Sequence, residues 1–347
     1  MIHGRQTGPR QSDMIPAHPL PAQARSWQAL WRDAVRDPRE LLDLLDLGAY
    51  SARISDAAAR QFELRVPRGF VAKMRRGDPG DPLLRQVLPL VEEERIVAGY
   101  GVDAVGDAAA RGATGLIHKY EGRALLIATG SCAVHCRYCF RRHFPYGEET
   151  AAANRWRDAL AYLRADTSVS EVLLSGGDPL SLATGKLAEL TDALRDLPHI
   201  RRLRLHTRLP IVLPERVDAE LQAWLGRLPW PVAIVVHANH ANELGDDVAD
   251  ALRALRGTGA SLLNQSVLLR EVNDDIHALA ELSERLFDVG VLPYYLHQLD
   301  RVAGTAHYEV DDARARRLHA DLSARLPGYL LPRLVREIPG SPGKTPL

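Results

Sequence analysis

The feature that most limits how this chain can fold is a recurrence. Six apolar runs, RALLIAT at 123, EVLLSGG at 171, RRLRLHT at 201, PVAIVVHAN at 231, SLLNQSVLL at 261 and LPYYLHQLD at 292, start 30 or 31 residues apart after the first. One strand, one helix and their loops need about 30 residues. Between the runs lie the amphipathic stretches AANRWRDALAYLRA, GKLAELTDALRDL, PERVDAELQAWLGRL, GDDVADALRALRG and DDIHALAELSERLFDVG. Near-continuous apolar strands of this kind are buried on both faces of a parallel sheet, so the class is α/β with six βα units. A doubly wound sheet offers one main crevice. Here polar residues end nearly every strand: the cysteine loop, 175–178, 206–208, 237–240, 264–266 and 297–300. A barrel, complete or partial, brings all of them to one mouth.

Residues 116–330 are assigned to this TIM-like (βα)6 unit. Upstream, Trp27, Leu30, Trp31, Val35, Leu41, Leu42, Leu44 and Leu45 fall on one helical face and open an N-terminal helical region over 27–115. It reads as a helical cap and not as a catalytic unit. Residues 1–26 are expected to be a flexible, Pro-rich tail, and 331–347 form a separate Gly/Pro-rich C-terminal segment.

Lys plus Arg number 44 and Asp plus Glu number 44, so no net charge favours a nucleic-acid backbone. No apolar run reaches the roughly 18 residues of a membrane span. The N-terminus has no hydrophobic stretch after its charges, which excludes a secretory signal and leaves a transit peptide as the weaker alternative to a plain tail. Three cysteines, all within 132–139, are too few for a disulfide scaffold and point to a reducing cytoplasm.

Those cysteines carry the strongest chemical signal. Cys132, Cys136 and Cys139 form C-x3-C-x2-C just past the first strand. Three thiolates in one loop can hold three irons of a [4Fe–4S] cluster and leave the fourth open. The alternative is zinc with His135 or His143 as fourth ligand. Ser175-Gly-Gly-Asp178-Pro ends the second strand, either as a turn with an aspartate cap or as a place where backbone and carboxylate meet a ligand. Lysine is scarce, with Lys73, Lys119, Lys186 and Lys344 the only four. By position Lys344 is a solvated terminal lysine, yet its Gly/Pro-rich approach also suits an amine that bonds a carbonyl cofactor. His206, His237 and His240 end other strands, and core roles suit them equally.

The cysteine run, with Tyr138 before its last member, resembles the radical S-adenosylmethionine (SAM) superfamily. Together with GLIHKYEGRALL, CRYCFRRHFPYG, LSGGDPL, NQSVLLR, PYYLHQLD and the final GKTPL, it is similar to the lysine 2,3-aminomutase family over residues 27 to the end. DPLLRQVL, CFRRHFPY and the KTPL ending are closest to the branch that makes (R)-β-lysine for modification of elongation factor P. The resemblance implies an isomerase using a [4Fe–4S] cluster, SAM and pyridoxal 5′-phosphate (PLP). It assigns Cys132, Cys136 and Cys139 to the cluster, and Tyr138, Gly176, Gly177 and Asp178 to SAM. Lys344 becomes the Schiff-base lysine, with Arg123, Gln265 and Lys119 around PLP. Arg141 clamps the substrate carboxylate, and Asp300 and Glu337 face its distal amine. The free-lysine enzymes carry aspartate where this chain has Glu337, a longer side chain of the same charge. L-lysine, an external reductant and a functional link to elongation factor P and its β-lysine ligase are the implied partners. Alternatives are an aminomutase of free lysine or glutamate metabolism, against which the ending at Leu347 is expected to weigh, and a non-enzymatic iron–sulfur or zinc module.

Overall fold

Among the described residues, ten strands form one sheet whose spatial order equals their order in the chain. The structure, a computed structural model, describes residues 25–146 and 156–347. Strands β1 (Arg111–Ala113), β2 (Leu116–Tyr120) and β3 (Arg123–Thr129) form an antiparallel meander. From β3 the pairing is parallel through β4 (Glu171–Gly176), β5 (Arg202–Thr207), β6 (Val232–Val236), β7 (Ser261–Val267), β8 (Leu292–His297) and β9 (Arg333–Arg336). A two-residue strand β10 (Thr345–Pro346) folds back antiparallel on β9. All six expected strands are present at their expected places. The parallel run is one strand longer, because β9 joins it from within the terminal segment. An order without reversal has no switch point, so the sheet winds in one direction as a partial barrel and not as a doubly wound sheet.

The curl follows from contacts between distant strands. Tyr120 at the end of β2 donates to Glu337, just beyond β9, at 2.6 Å. On the outer face Val172, Leu174, Leu203, Leu205, Ile234 and Val236 are at most 1% exposed and pack against Leu187, Leu190, Leu221, Val248, Leu252 and Leu286 of the covering helices. Each such side chain contributes about 1.5–3 kcal/mol by leaving water. Alternate residues, among them Ser175, Arg204, His206, Gln265 and His297, face the lumen.

The covering helices are Arg157–Ala165, Thr184–Arg195, Ala219–Gly226, Asp246–Gly257 and Ile276–Asp288. The beginning of the AANRWRDALAYLRA stretch, and residues 1–24 of the expected tail, lie outside the described residues. The helical face over 27–47 is two helices and not one. Trp27–Arg32 and Pro38–Leu44 are separated where Asp37 accepts from the Arg39 amide at 2.8 Å and Pro38 opens the second helix. No helix of the described residues is long and apolar enough to cross a membrane.

Candidate active site at the barrel mouth

The cysteine loop leaves β3 and is held by backbone on both sides. Trp31 and Arg65 donate to the Cys132 carbonyl at 3.3 and 3.2 Å. The His135 amide donates to the Arg65 carbonyl at 3.1 Å, and the Arg137 amide to the Gln86 carbonyl at 2.9 Å. Gly176 and Gly177 lie directly against it. A Cβ on Gly177 would stand 2.5 Å from the Ser131 carbonyl oxygen, and Gly176 has φ of +106°. Only glycine fits both positions, so the strand-end motif shapes the loop that presents the thiols.

Burial, the Asp178 carboxylate and the other two thiols push the Cys132 thiol well above its ordinary range. Burial and Cys136 raise Cys139 to about 11. Thiolates held this close and this deeply buried repel one another and need a cation beside them, which suits an iron–sulfur cluster. Zinc fits less well. Among the described residues no three His, Cys, Asp or Glu side chains surround a single ion position. His135 commits Nδ1 to the Glu63 carbonyl at 2.7 Å, and His143 commits Nε2 to the Ala303 carbonyl at 3.1 Å.

Asp178 differs from the expectation of a carboxylate that meets SAM. Its Oδ1 accepts from Thr207 Oγ1 at 2.7 Å and Leu180 N at 3.0 Å, and Oδ2 from Arg208 N at 2.7 Å and Leu209 N at 3.0 Å. It ties the β4 loop to the β5 loop. Tyr138 sits in a buried polar hub, accepting from Arg208 at 2.5 Å and from Asn239 at 2.7 Å.

On the opposite side of the mouth a chain of charges runs from the cysteine loop to the C-terminal segment. Arg141 Nε donates to Asp107 at 2.8 Å and its Nη1 to Ser175 Oγ at 3.4 Å. Lys119 pairs with the same Asp107 at 2.6 Å, lies 3.5 Å from Glu337, and donates to the Val105 carbonyl at 2.7 Å. Glu337 then pairs with Lys344. Burial alone would raise Asp107, but Arg141 and Lys119 outweigh it and hold the carboxyl below its ordinary range. Burial likewise opposes, and Lys344 overcomes, the shift of Glu337, which also ends low. Among the described residues Asp300 has no such partner. Burial pushes it up to about 7, against the attraction of Lys344 and with the help of Glu337.

Asp300 and Glu337 line a cavity of about 500 Å³ with Tyr100, Asp103, Arg301 and Arg336. Both arginines are already paired, Arg301 with Glu309 at 2.8 Å and Arg336 with Asp312. The unpaired carboxyl of Asp300 therefore sets the character of this wall, which suits a cation. Lys344 also faces the lumen, where its charge bears on His206, His237 and His297. Burial lowers all three, His237 to about 4 with Arg208 and Lys344 adding to it, so they are neutral at pH 7. Among the described residues each leaves a buried Nε2 without a partner, unsatisfied acceptor or donor capacity that a polar cofactor would meet. His240 instead caps a turn, accepting from Asn242 N at 3.1 Å. Arg123 lies over the Tyr120 ring at 4.6 Å, beside the Glu337 contact, and Gln265 lies on the lumen side of β7.

The structure thus joins Arg141, Lys119, Glu337 and Lys344 in one chain of charges through Asp107, and sets Asp300 and Glu337 on one cavity wall. Sequence reasoning missed Asp107, the partner shared by Arg141 and Lys119, and missed Arg208, Gln86 and Glu243. Asp107 has no local motif. Arg208 had the strand-end position as its signal. The N-terminal region does more than cap the barrel, because it supplies Gln86, Tyr100, Asp103 and Asp107.

Residues 126–283 match the Radical SAM superfamily. The chain is 47% identical over 322 residues to an L-lysine 2,3-aminomutase of Escherichia coli K12, covering 92% of this chain and 94% of that one. It is 42% identical to an L-lysine 2,3-aminomutase of Haemophilus influenzae, covering 96% and 98%. With an L-lysine 2,3-aminomutase of Clostridium subterminale it shares 31% identity, over 92% of this chain and 77% of that one. The chain therefore belongs to the lysine 2,3-aminomutase family of radical SAM isomerases, whose cofactors are a [4Fe–4S] cluster, SAM and PLP.

Proposed function

We propose that this enzyme moves the amino group of L-lysine from C2 to C3 to give (R)-β-lysine, with PLP bound at Lys344, and that the product goes to modification of elongation factor P. The observation that carries the reading is the pairing of two carboxylates, Asp300 and Glu337, on one cavity wall beside the amine of Lys344. Two acidic groups at one end and a guanidinium at the other select a substrate with a distal ammonium and a carboxylate. When bound, the cluster and SAM supply an organic radical and PLP the unsaturated system across which the nitrogen migrates.

The chain's own residues do the rest. Cys132, Cys136 and Cys139 hold the cluster. Gly176 and Gly177 keep the adjoining backbone close enough for SAM to lie beside it, with Tyr138 at its edge and Asp178 fixing the loop beneath. Arg123, Gln265 and Lys119 surround the place of PLP. Arg141 orients the substrate carboxylate, its approach fixed by Asp107. Lys344 must leave Glu337 to carry PLP, and that departure frees the Glu337 carboxylate for the substrate ammonium. The buried lumen excludes water from the radical.

The finer assignment rests on the branch resemblance and on Glu337 in place of aspartate. It brings an external reductant and a separate ligase as partners, a cytoplasmic site of action, and no nucleic acid or membrane. Mass spectrometry of elongation factor P from the host tests it. A modification of β-lysine mass, lost on deletion of this gene and restored by the wild-type chain but not by Lys344→Ala, is expected. An unmodified factor in the wild type would refute the assignment.

A further inference from the structure

Asp178 spends both oxygens on loops, and what it fixes is Arg208. Its carboxylate receives the Arg208 and Leu209 amides at 2.7 and 3.0 Å, so the residue that follows β5 leaves the strand in a single direction. The guanidinium then points into the cysteine loop, where Nη1 lies 2.7 Å from Cys136 Sγ. Arg208 is 7% exposed. Four side chains from three segments hold its head: Glu243 Oε2 at 2.8 Å, Gln86 Oε1 at 2.7 Å, Tyr138 Oη at 2.5 Å and the cysteine sulfur itself. Gln86 and Glu243 are each 0% exposed and bonded to each other at 3.2 Å. A cation placed this firmly at a ligand sulfur cannot swing away to solvent.

We propose that Arg208 sets the reduction potential of the cluster, acting as a positioned donor to the Cys136 sulfur. A hydrogen bond to a ligand sulfur, and positive charge beside it, stabilise the form of the cluster that holds the additional electron. In a dry site that effect is weakly screened. The electron comes singly from the external low-potential reductant, no bond forms or breaks in the protein, and Arg208 neither gains nor loses a proton. Glu243 moderates the effect as counter-ion. The strand-end Asp178 and the N-terminal Gln86 thereby enter the chemistry without touching substrate, which makes Arg208 a positioning and tuning residue. The proposal rests on Cys132, Cys136 and Cys139 being the cluster ligands, and the iron content of each variant reports that reading separately from its potential.

The test is an anaerobic redox titration, followed by electron paramagnetic resonance, of the iron-reconstituted full chain. Arg208→Gln removes the charge and is expected to lower the reduced-to-oxidised ratio at a fixed potential about tenfold, equal to 59 mV for a one-electron couple. Arg208→Lys restores part of the shift. Glu243→Gln leaves the guanidinium in place without its counter-ion and moves the potential the opposite way. Opposite signs in these two variants are not expected of a merely structural ion pair. Where Arg208→Gln fails to fold, Arg208→Lys and Glu243→Gln decide the matter. Potentials unchanged in fully iron-loaded Arg208 and Glu243 variants would overturn the proposal.

Discussion

Glu93→Ala removes the shared counter-ion of two buried guanidinium groups. The Arg137 and Arg142 side chains are 0% exposed and that of Glu93 is 1% exposed. The carboxylate accepts from Arg137 Nε at 2.9 Å, from Arg137 Nη2 at 2.6 Å and from Arg142 Nη2 at 2.7 Å. Removing one partner of a buried ion pair costs roughly 3–5 kcal/mol. Some compensation remains. Arg137 keeps the Ala58 carbonyl at 3.1 Å, and Arg142 keeps the carbonyls of Arg137 and Gly304 at 3.0 and 3.3 Å. The expected loss is therefore at the low end, about 3 kcal/mol, or about 1 M in the urea midpoint for a slope near 3 kcal/mol per M. Arg137 lies between Cys136 and Cys139, so the variant should also bind less iron after reconstitution. Glu93→Gln keeps the shape and one acceptor oxygen and should lose less. Urea unfolding followed by circular dichroism, with iron analysis of the same preparations, measures both. A Glu93→Ala midpoint within about 0.3 M of wild type, an effect below about 1 kcal/mol, would refute the reading that Glu93 stabilises the fold by neutralising Arg137 and Arg142.

Two further outcomes follow from the site. Asp300 is pushed up to about 7, so below that pH the empty site holds a proton that an incoming ammonium must expel. Lysine binding is expected to tighten as pH rises from about 6 to 8 and to release a proton, seen by calorimetry in buffers of different ionisation enthalpy. Asp300→Asn should bind more weakly and lose this dependence, and a pH profile like that of wild type would count against the role. Stability runs the other way. A carboxyl raised in the native state stabilises the fold below its unfolded value near 4 and loses that contribution as pH climbs to about 7. Gly177→Ala places a methyl 2.5 Å from the Ser131 carbonyl oxygen. Overpacking of this kind costs about 1–3 kcal/mol and should displace the cysteine loop, lowering iron content more than helix content. Full iron loading with an unchanged thermal midpoint would contradict that geometry.

The sheet was largely legible because its six central strands are long apolar runs at a steady interval. β2, LIHKY, was not, since half of it faces a polar site, and β9, RLVR, has too few apolar residues to signal a buried strand. The single helical face read from Trp27 to Leu45 is broken at Asp37-Pro38, a local cap that periodicity over a longer window averages away. In the site, the cysteines and Gly176-Gly177 were legible because short motifs carry them. Asp107 and Arg208 were not, because each acts on a partner 34 or 72 residues away, a pairing that only the fold creates. The strand-end motif marked Asp178 as important but not what it does, because its hydrogen bonds run to the next loop, about 30 residues on.

The central claim is tested most directly by anaerobic incubation of the reconstituted chain with L-lysine labelled at the α-nitrogen, SAM, PLP and a strong reductant. The account predicts (R)-β-lysine with the label on C3, formed only when all three cofactors are present, and none from Lys344→Ala. Labelled ammonia, or unchanged α-lysine from enzyme whose iron and PLP content are full, would contradict it.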